Sequence, residues 1–256
     1  MEKNNNKKLV IVEVIKESMN LYKNNFWLLF KLNAIGVLIL LVTSNFNNLR
    51  KYVDIMELNF LIGFIGIILI FVGLYYSFRV TVSLILSIKD RYVDKEVTIK
   101  EIYNRSKENI WKYIGSLLLF GLMIIIPVLF TGIGVTKVDT IILKIVFIIV
   151  GSVLLSYIMV KYRFAMYVRI FKPEINNYFR YSNKLVNNYF WEVLCILLVS
   201  FLAQLPSIIM SVLIDVNTIG LFERFIYNNI THIITLAAGP FLMGLSVIAY
   251  LKLDNE

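Results

Sequence analysis

The sequence predicts an all-α, polytopic membrane protein: six transmembrane helices built as three repeats of an interfacial amphipathic helix followed by two spans, with both termini cytoplasmic. Three observations carry that expectation. The 256 residues are 59% hydrophobic, more than a soluble domain of this length buries, and the apolar residues gather in continuous blocks rather than alternating, which favours helices over a barrel. Trp27, Trp111 and Trp191 are the only tryptophans, and each stands where a polar-faced segment gives way to an apolar one. The basic residues fall on alternate loops.

A helix needs roughly 20 apolar residues to cross the hydrocarbon. The blocks place spans at about 26–44, 59–79, 111–131, 140–161, 191–214 and 230–251. The N-terminal segment carries Glu13, Lys16, Glu17 and Lys23 and has no small-residue cleavage site, so it does not read as a signal peptide. With a cytoplasmic N-terminus, the inner side receives nineteen Lys and Arg residues and the outer loops only Arg50, Lys51, Lys137 and Arg224. Lys31, Arg79 and Lys144 lie in or at the ends of spans. That asymmetry is a strong positive-inside bias. It accounts for the net charge of +9 through anionic lipid headgroups rather than nucleic acid.

Each odd-numbered span follows an amphipathic stretch. The first apolar face is Ile11, Ile15, Met19 and Tyr22; the second is Ile99, Ile102, Tyr103, Ser106 and Ile110; the third includes Ile175, Tyr178, Phe179, Ser182, Val186 and Tyr189. Thr98 with Glu101 fits a capping box, and Pro173 suits a first helical position. These helices are expected to lie in the cytoplasmic headgroup layer with their apolar stripes down. The tryptophans then anchor the interface, since an indole sits readily between acyl chains and polar groups.

Trp27 to Arg79 spans 52 positions, as does Trp111 to Arg163, so Arg79 and Arg163 read as matching exit anchors. The repeats run approximately over 9–91, 97–170 and 173–256 within a single membrane domain covering 1–256. The excess length of the third falls in an outer loop from about Asn217 to Asn229. Pro127 and Pro206 follow their tryptophans by 16 and 15 residues and predict kinks. The apolar run after Arg79 continues through Ile88. Arg79 therefore sits either at the inner interface with a helical extension beyond it, or deeper and facing a partner.

The entries Asn25-Phe26-Trp27, Asn109-Ile110-Trp111 and Tyr189-Phe190-Trp191, the exit Leu74-Tyr75-Tyr76-Ser77-Phe78-Arg79, and the closing run from Gly239-Pro240 to Tyr250-Leu251-Lys252 resemble those of a known family. It is the six-helix membrane domain found in some bacterial glycerophosphodiester phosphodiesterases, together with similar bacterial six-span proteins. In the fused members catalysis belongs to a separate soluble domain, and nothing in this chain corresponds to it. The resemblance therefore implies a membrane module and carries no catalytic residue over.

The inventory for chemistry is thin. His232 is the only histidine and Cys195 the only cysteine, which excludes an intrachain disulfide and a thiolate cluster. No His-Glu-x-x-His, Gly-x-Ser-x-Gly or phosphate-loop pattern occurs. No catalytic, cofactor-binding or metal-binding residue and no cofactor is assigned. Among polar residues inside spans, Gln204 near Pro206 is the candidate for a polar cavity, against the alternative of a helix-to-helix hydrogen bond. Gly73 with Ser77, and Ser152 with Ser156, are small-residue pairs that allow close helix approach. The expected function is a non-enzymatic module of a bacterial inner membrane, an accessory or scaffold that meets anionic headgroups and a membrane or cytoplasmic protein partner. The alternative is a small transporter or permease component, and an intramembrane enzyme lacks its acid–base residues.

Overall fold

The computed structural model describes residues 10–49, 56–213 and 221–254. Its elements are α1 (Ile11–Asn24), α2 (Phe26–Leu49), α3 (Met56–Tyr92), α4 (Ile99–Lys137), α5 (Ile141–Lys161), α6 (Ala165–Phe171), α7 (Tyr178–Val186), α8 (Phe190–Leu213) and α9 (Leu221–Asp254). No strand occurs among the described residues. Among the described residues five helices are long and apolar enough to cross a membrane, and a sixth joins them if α8 is counted with α7, from which it bends by 100°. In α5 only 6% of the apolar window is buried. A helix that exposes apolar residues nearly all round is stable in lipid and not in water.

α3 and α4 run on without a break, and three other elements depart from the expectation. α3 is unbroken over 37 residues, about 55 Å, and its segment Val82–Ile88 is buried throughout. α4 runs without interruption from the amphipathic stretch into the apolar one. α9 begins at Leu221, so residues 221–229 of the outer loop expected at 217–229 are helical, and 217–220 lie outside the described residues. Pro173 does not start a helix: it lies in the turn after α6, and α7 is capped by Asn177, whose side chain accepts from the Arg180 N–H at 3.1 Å. α6 itself is unforeseen, because its apolar run, with Ala165–Val168 and Ile170 buried, reads as the tail of the preceding span. Thr98 does cap α4, accepting from the Glu101 N–H at 3.3 Å.

The amphipathic stripes face protein. α1 buries Val14, Ser18 and Leu21, while Met19 is exposed, so its inner face is rotated from the one expected. Ser18 faces Gly244 of α9, its Cβ lying 3.7 Å from where a Gly244 Cβ would stand, an ordinary packing distance. The start of α4 buries Ile102, Ser106 and Ile110, and α7 buries Ser182 and Val186. Each helix thus sets a buried serine on an even-numbered expected span: Ser18 against Gly244, Ser106 under Arg79, and Ser182 at the end of α5, where its hydroxyl donates to the Lys161 carbonyl at 3.0 Å. The serine-to-tryptophan interval is nine residues in the first and third cases and five in the second. Where it is nine, the helix breaks before the tryptophan; where it is five, it runs on.

By compactness the chain divides into two units, each drawn from separated segments. One comprises the N-terminal segment through Val14, Trp111–Leu198 and the C-terminal segment from Ala249; the other comprises Ile15–Ile110 and Val199–Ile248. In the second unit α2 packs against α3, with Gly36 meeting Val80 and Gly73 meeting Thr43 and Ile39. Gly73 therefore provides the close approach expected of it. In the first unit the approach of α5 to α4 is made by Gly151, which abuts Thr131 and the Pro127 carbonyl. Ser152 and Ser156 are exposed.

Candidate functional site

The three tryptophans are exposed to nearly the same degree, 68%, 70% and 71% for Trp27, Trp111 and Trp191. Phe26 and Phe190 pack edge-on against Trp27 and Trp191 at 5.3 and 5.5 Å between ring centroids. Outward indoles at the mouths of apolar helices suit a headgroup layer.

Arg79 has a partner as well as an extension beyond it. Its guanidinium donates to the Tyr103 carbonyl at 2.9 Å and to Ser106 Oγ at 3.3 Å, and it lies over the Tyr103 ring at 3.8 Å. One cation thus joins α3 to the first turns of α4 by hydrogen bonds and ring stacking. Arg163 is half-buried in the turn between α5 and α6, within electrostatic reach of Tyr113 on α4. Gln204 is exposed, and its amide donates to the Ser200 carbonyl one turn back at 3.2 Å.

A polar cleft of about 420 Å³ opens in the second unit between α1 and the turn from α3 to α4. Glu17, Asn20 and Asn24 line one side, and Arg91, Asp94 and Glu96 the other. Tyr92 donates to Glu17 Oε2 at 3.2 Å. The turn is a helix stop in which Asp94 takes the left-handed position at φ 55°, and the Lys95 N–H returns to the Asp90 carbonyl at 2.9 Å. Arg105 pairs with Asp90 beside it and fixes α4 to that turn. With three carboxylates, amides and one guanidinium, the cleft suits polar or cationic groups. Among the described residues no three His, Cys, Asp or Glu converge as a metal-ligand set.

A second polar feature of the same unit joins α1, α2 and α9. Pro240 has no N–H, so the Leu236 carbonyl of α9 loses its intrahelical donor. Asn33 of α2 supplies one, its Nδ2 reaching the Leu236 carbonyl at 2.9 Å and that of Thr235 at 3.1 Å. Tyr22 of α1 donates to the Ala237 carbonyl at 2.9 Å, and burial raises the pKa of its phenol. Gly239 makes the approach feasible: a Cβ there would stand 3.0 Å from Asn33 Nδ2. Asn33 is recognisable in the sequence as a polar residue inside a span, but nothing in the local pattern points to a carbonyl two hundred positions away.

In the first unit the end of α9 is tied down at Asp254. Its Oδ1 accepts from Lys172 at 2.7 Å and from Tyr181 at 2.9 Å, and its Oδ2 accepts from Tyr250 at 3.0 Å. The hydrogen bond to Asp254, and next that to Tyr181, hold the Lys172 ammonium above the ordinary lysine pKa. The rings of Phe164, Tyr167 and Phe171 surround Tyr250 at 5.6–5.9 Å. This cluster explains the burial of α6, whose aromatic residues form the seat for the C-terminal turn of α9. No protein-family model matches the chain, and no curated protein or solved structure matches it either.

Proposed function

We propose that the chain is a non-enzymatic module of a bacterial inner membrane that presents a basic cytoplasmic collar to anionic headgroups and to a protein partner. The observation that carries this reading is the placement of the amphipathic stretches. α1, the start of α4 and α7 spend their apolar stripes on the protein, so their polar faces, with Lys16, Lys23, Lys100, Lys107, Arg180 and Lys184, point outward beside three exposed tryptophans. A face held rigid from behind and charged in front is suited to binding a headgroup layer or an acidic surface. The Lys252–Glu13 ion pair at 3.4 Å joins the end of α9 to the start of α1, which is consistent with both lying on one side, and the positive-inside bias assigns that side to the cytoplasm. Kinship with the six-helix domain of the phosphodiesterases belongs to this proposal and rests on the tryptophan entries and the exit motifs. So does the threefold repeat, for which the three buried serines are further support.

The test is reconstitution of the full chain into nanodiscs of mixed phosphatidylglycerol and phosphatidylcholine, followed by measurement of lipid enrichment around the protein. Enrichment of the anionic lipid that is lost when Lys16, Lys23, Lys100 and Lys107 become glutamine supports the collar. Equal enrichment in both proteins refutes it. A second reading, a small permease component, draws on the proline-interrupted α9 with its membrane-depth donors. It predicts ligand-dependent flux in proteoliposomes.

A further inference from the structure

Lys161 closes α5 and is only 7% exposed. An ammonium offers three donors. One reaches Asn187 Oδ1 at 2.8 Å, and the rings of Tyr157 and Phe190 stand 5.8 and 5.9 Å from Nζ. A neutral amide and two ring faces do not balance a buried unit charge, because lysines this deep are ordinarily paired with an anion. Among the described residues no carboxylate pairs with it. Compensation by the carbonyl end of α5 is also reduced, since the Lys161 carbonyl already accepts from Ser182.

The surroundings indicate where the missing charge enters. Asn187 and Tyr157 are exposed, so the ammonium lies one side chain beneath the surface. Trp191 follows Asn187 by four residues, across the break between α7 and α8, and is 71% exposed, which in a bilayer is headgroup depth. The break between α7 and α8 places Asn187 over Lys161 and leaves the Phe190 ring as a wall. We propose that Lys161 is the seat of a phosphate group, bound by the ammonium as a point charge between Tyr157 and Phe190, with Asn187 as the side chain it displaces. The depth assigned to this seat rests on the membrane reading above. The phosphate belongs either to a phospholipid diester or to a free phosphate.

Native mass spectrometry of the full chain during graded delipidation, paired with thermal melts in inorganic phosphate, tests this. The wild type is expected to keep one phospholipid that Lys161→Gln loses with about tenfold weaker retention, while Lys161→Arg keeps it. Asn187→Asp, at an exposed position, supplies an internal carboxylate and should expel the lipid even if Lys161→Gln does not fold. Stabilisation of the delipidated wild type by inorganic phosphate, absent in Asn187→Asp, assigns the seat to free phosphate instead. Equal lipid retention and equal phosphate response in wild type and Asn187→Asp would overturn the proposal. Loss of the general anionic preference with one lipid still held at Lys161 removes the collar reading and leaves the seat; the converse leaves the collar alone.

Discussion

Replacing Asn33 by leucine should cost stability only as long as Pro240 is present. In the wild type the change removes the donor that serves the Leu236 carbonyl at 2.9 Å and also contacts Thr235, stranding a carbonyl inside the apolar run of α9 that Pro240 leaves without a helical donor. Side-chain hydrogen bonds between membrane helices are worth about 0.6 to 2 kcal/mol, and a stranded acceptor costs about 1 to 3 kcal/mol. We expect Asn33→Leu to destabilise by about 2 kcal/mol, inside the overlap of those ranges. In a Pro240→Ala background the restored N–H of residue 240 bonds Leu236 within the helix. The same leucine substitution should then cost less than about 1 kcal/mol, giving a coupling of at least about 1 kcal/mol in the double-mutant cycle. Unfolding in detergent titrated with sodium dodecyl sulfate, followed by tryptophan fluorescence, measures all four proteins. Equal costs in the two backgrounds would refute the assignment of Asn33 to the proline-freed carbonyl.

Three further outcomes follow from the geometry. Asp94→Gly should stabilise the turn after α3 by about 0.5 to 1 kcal/mol relative to Asp94→Ala, because only glycine takes φ 55° without a Cβ penalty; chemical denaturation of the two variants checks this. Gly151→Val should separate α5 from α4, since any side chain there meets Thr131, and a disulfide-trapping assay between the two helices should lose most of its yield. The Lys172–Asp254 contact should be insensitive to acid over the neutral range but lost in alkali. The pKa of Lys172 is raised from 10.5 in the fold, so its stabilisation is present in full below that value and disappears as pH climbs through the folded value. The stability difference between wild type and Lys172→Met should therefore be constant from pH 7 to 9 and shrink above the ordinary lysine pKa; a difference that grew with alkali would contradict the contact.

Much of the architecture was legible because lipid imposes a simple rule: backbone groups must pair within the segment, so an apolar block is a helix. The blocks near 26–44, 140–161 and 191–214 appear as α2, α5 and α8 with ends shifted by at most a few residues. Features that depend on remote partners were not legible. The face α1 buries is the one that meets α9, where Ser18 faces Gly244, and Ser18 takes the place expected of Met19. α6 is a helix because Tyr167 and Phe171 pack on Tyr250, a contact across some eighty positions. Thr98 announces its helix by local chemistry, whereas Pro173 yields to Asn177, whose side chain meets a backbone N–H three residues on. Arg79 was visible as a charge near a span end; its clasp on Tyr103 and Ser106 required the return of the chain through α4.

Sidedness is the claim on which the functional reading depends, and single-cysteine labelling tests it most directly. In a Cys195→Ala background, cysteine at the exposed position Lys137 should react with an impermeant maleimide on intact cells, and cysteine at the exposed position Lys95 should react only after the membrane is opened. Equal labelling at both sites, or the reverse order, would contradict a basic collar facing the cytoplasm.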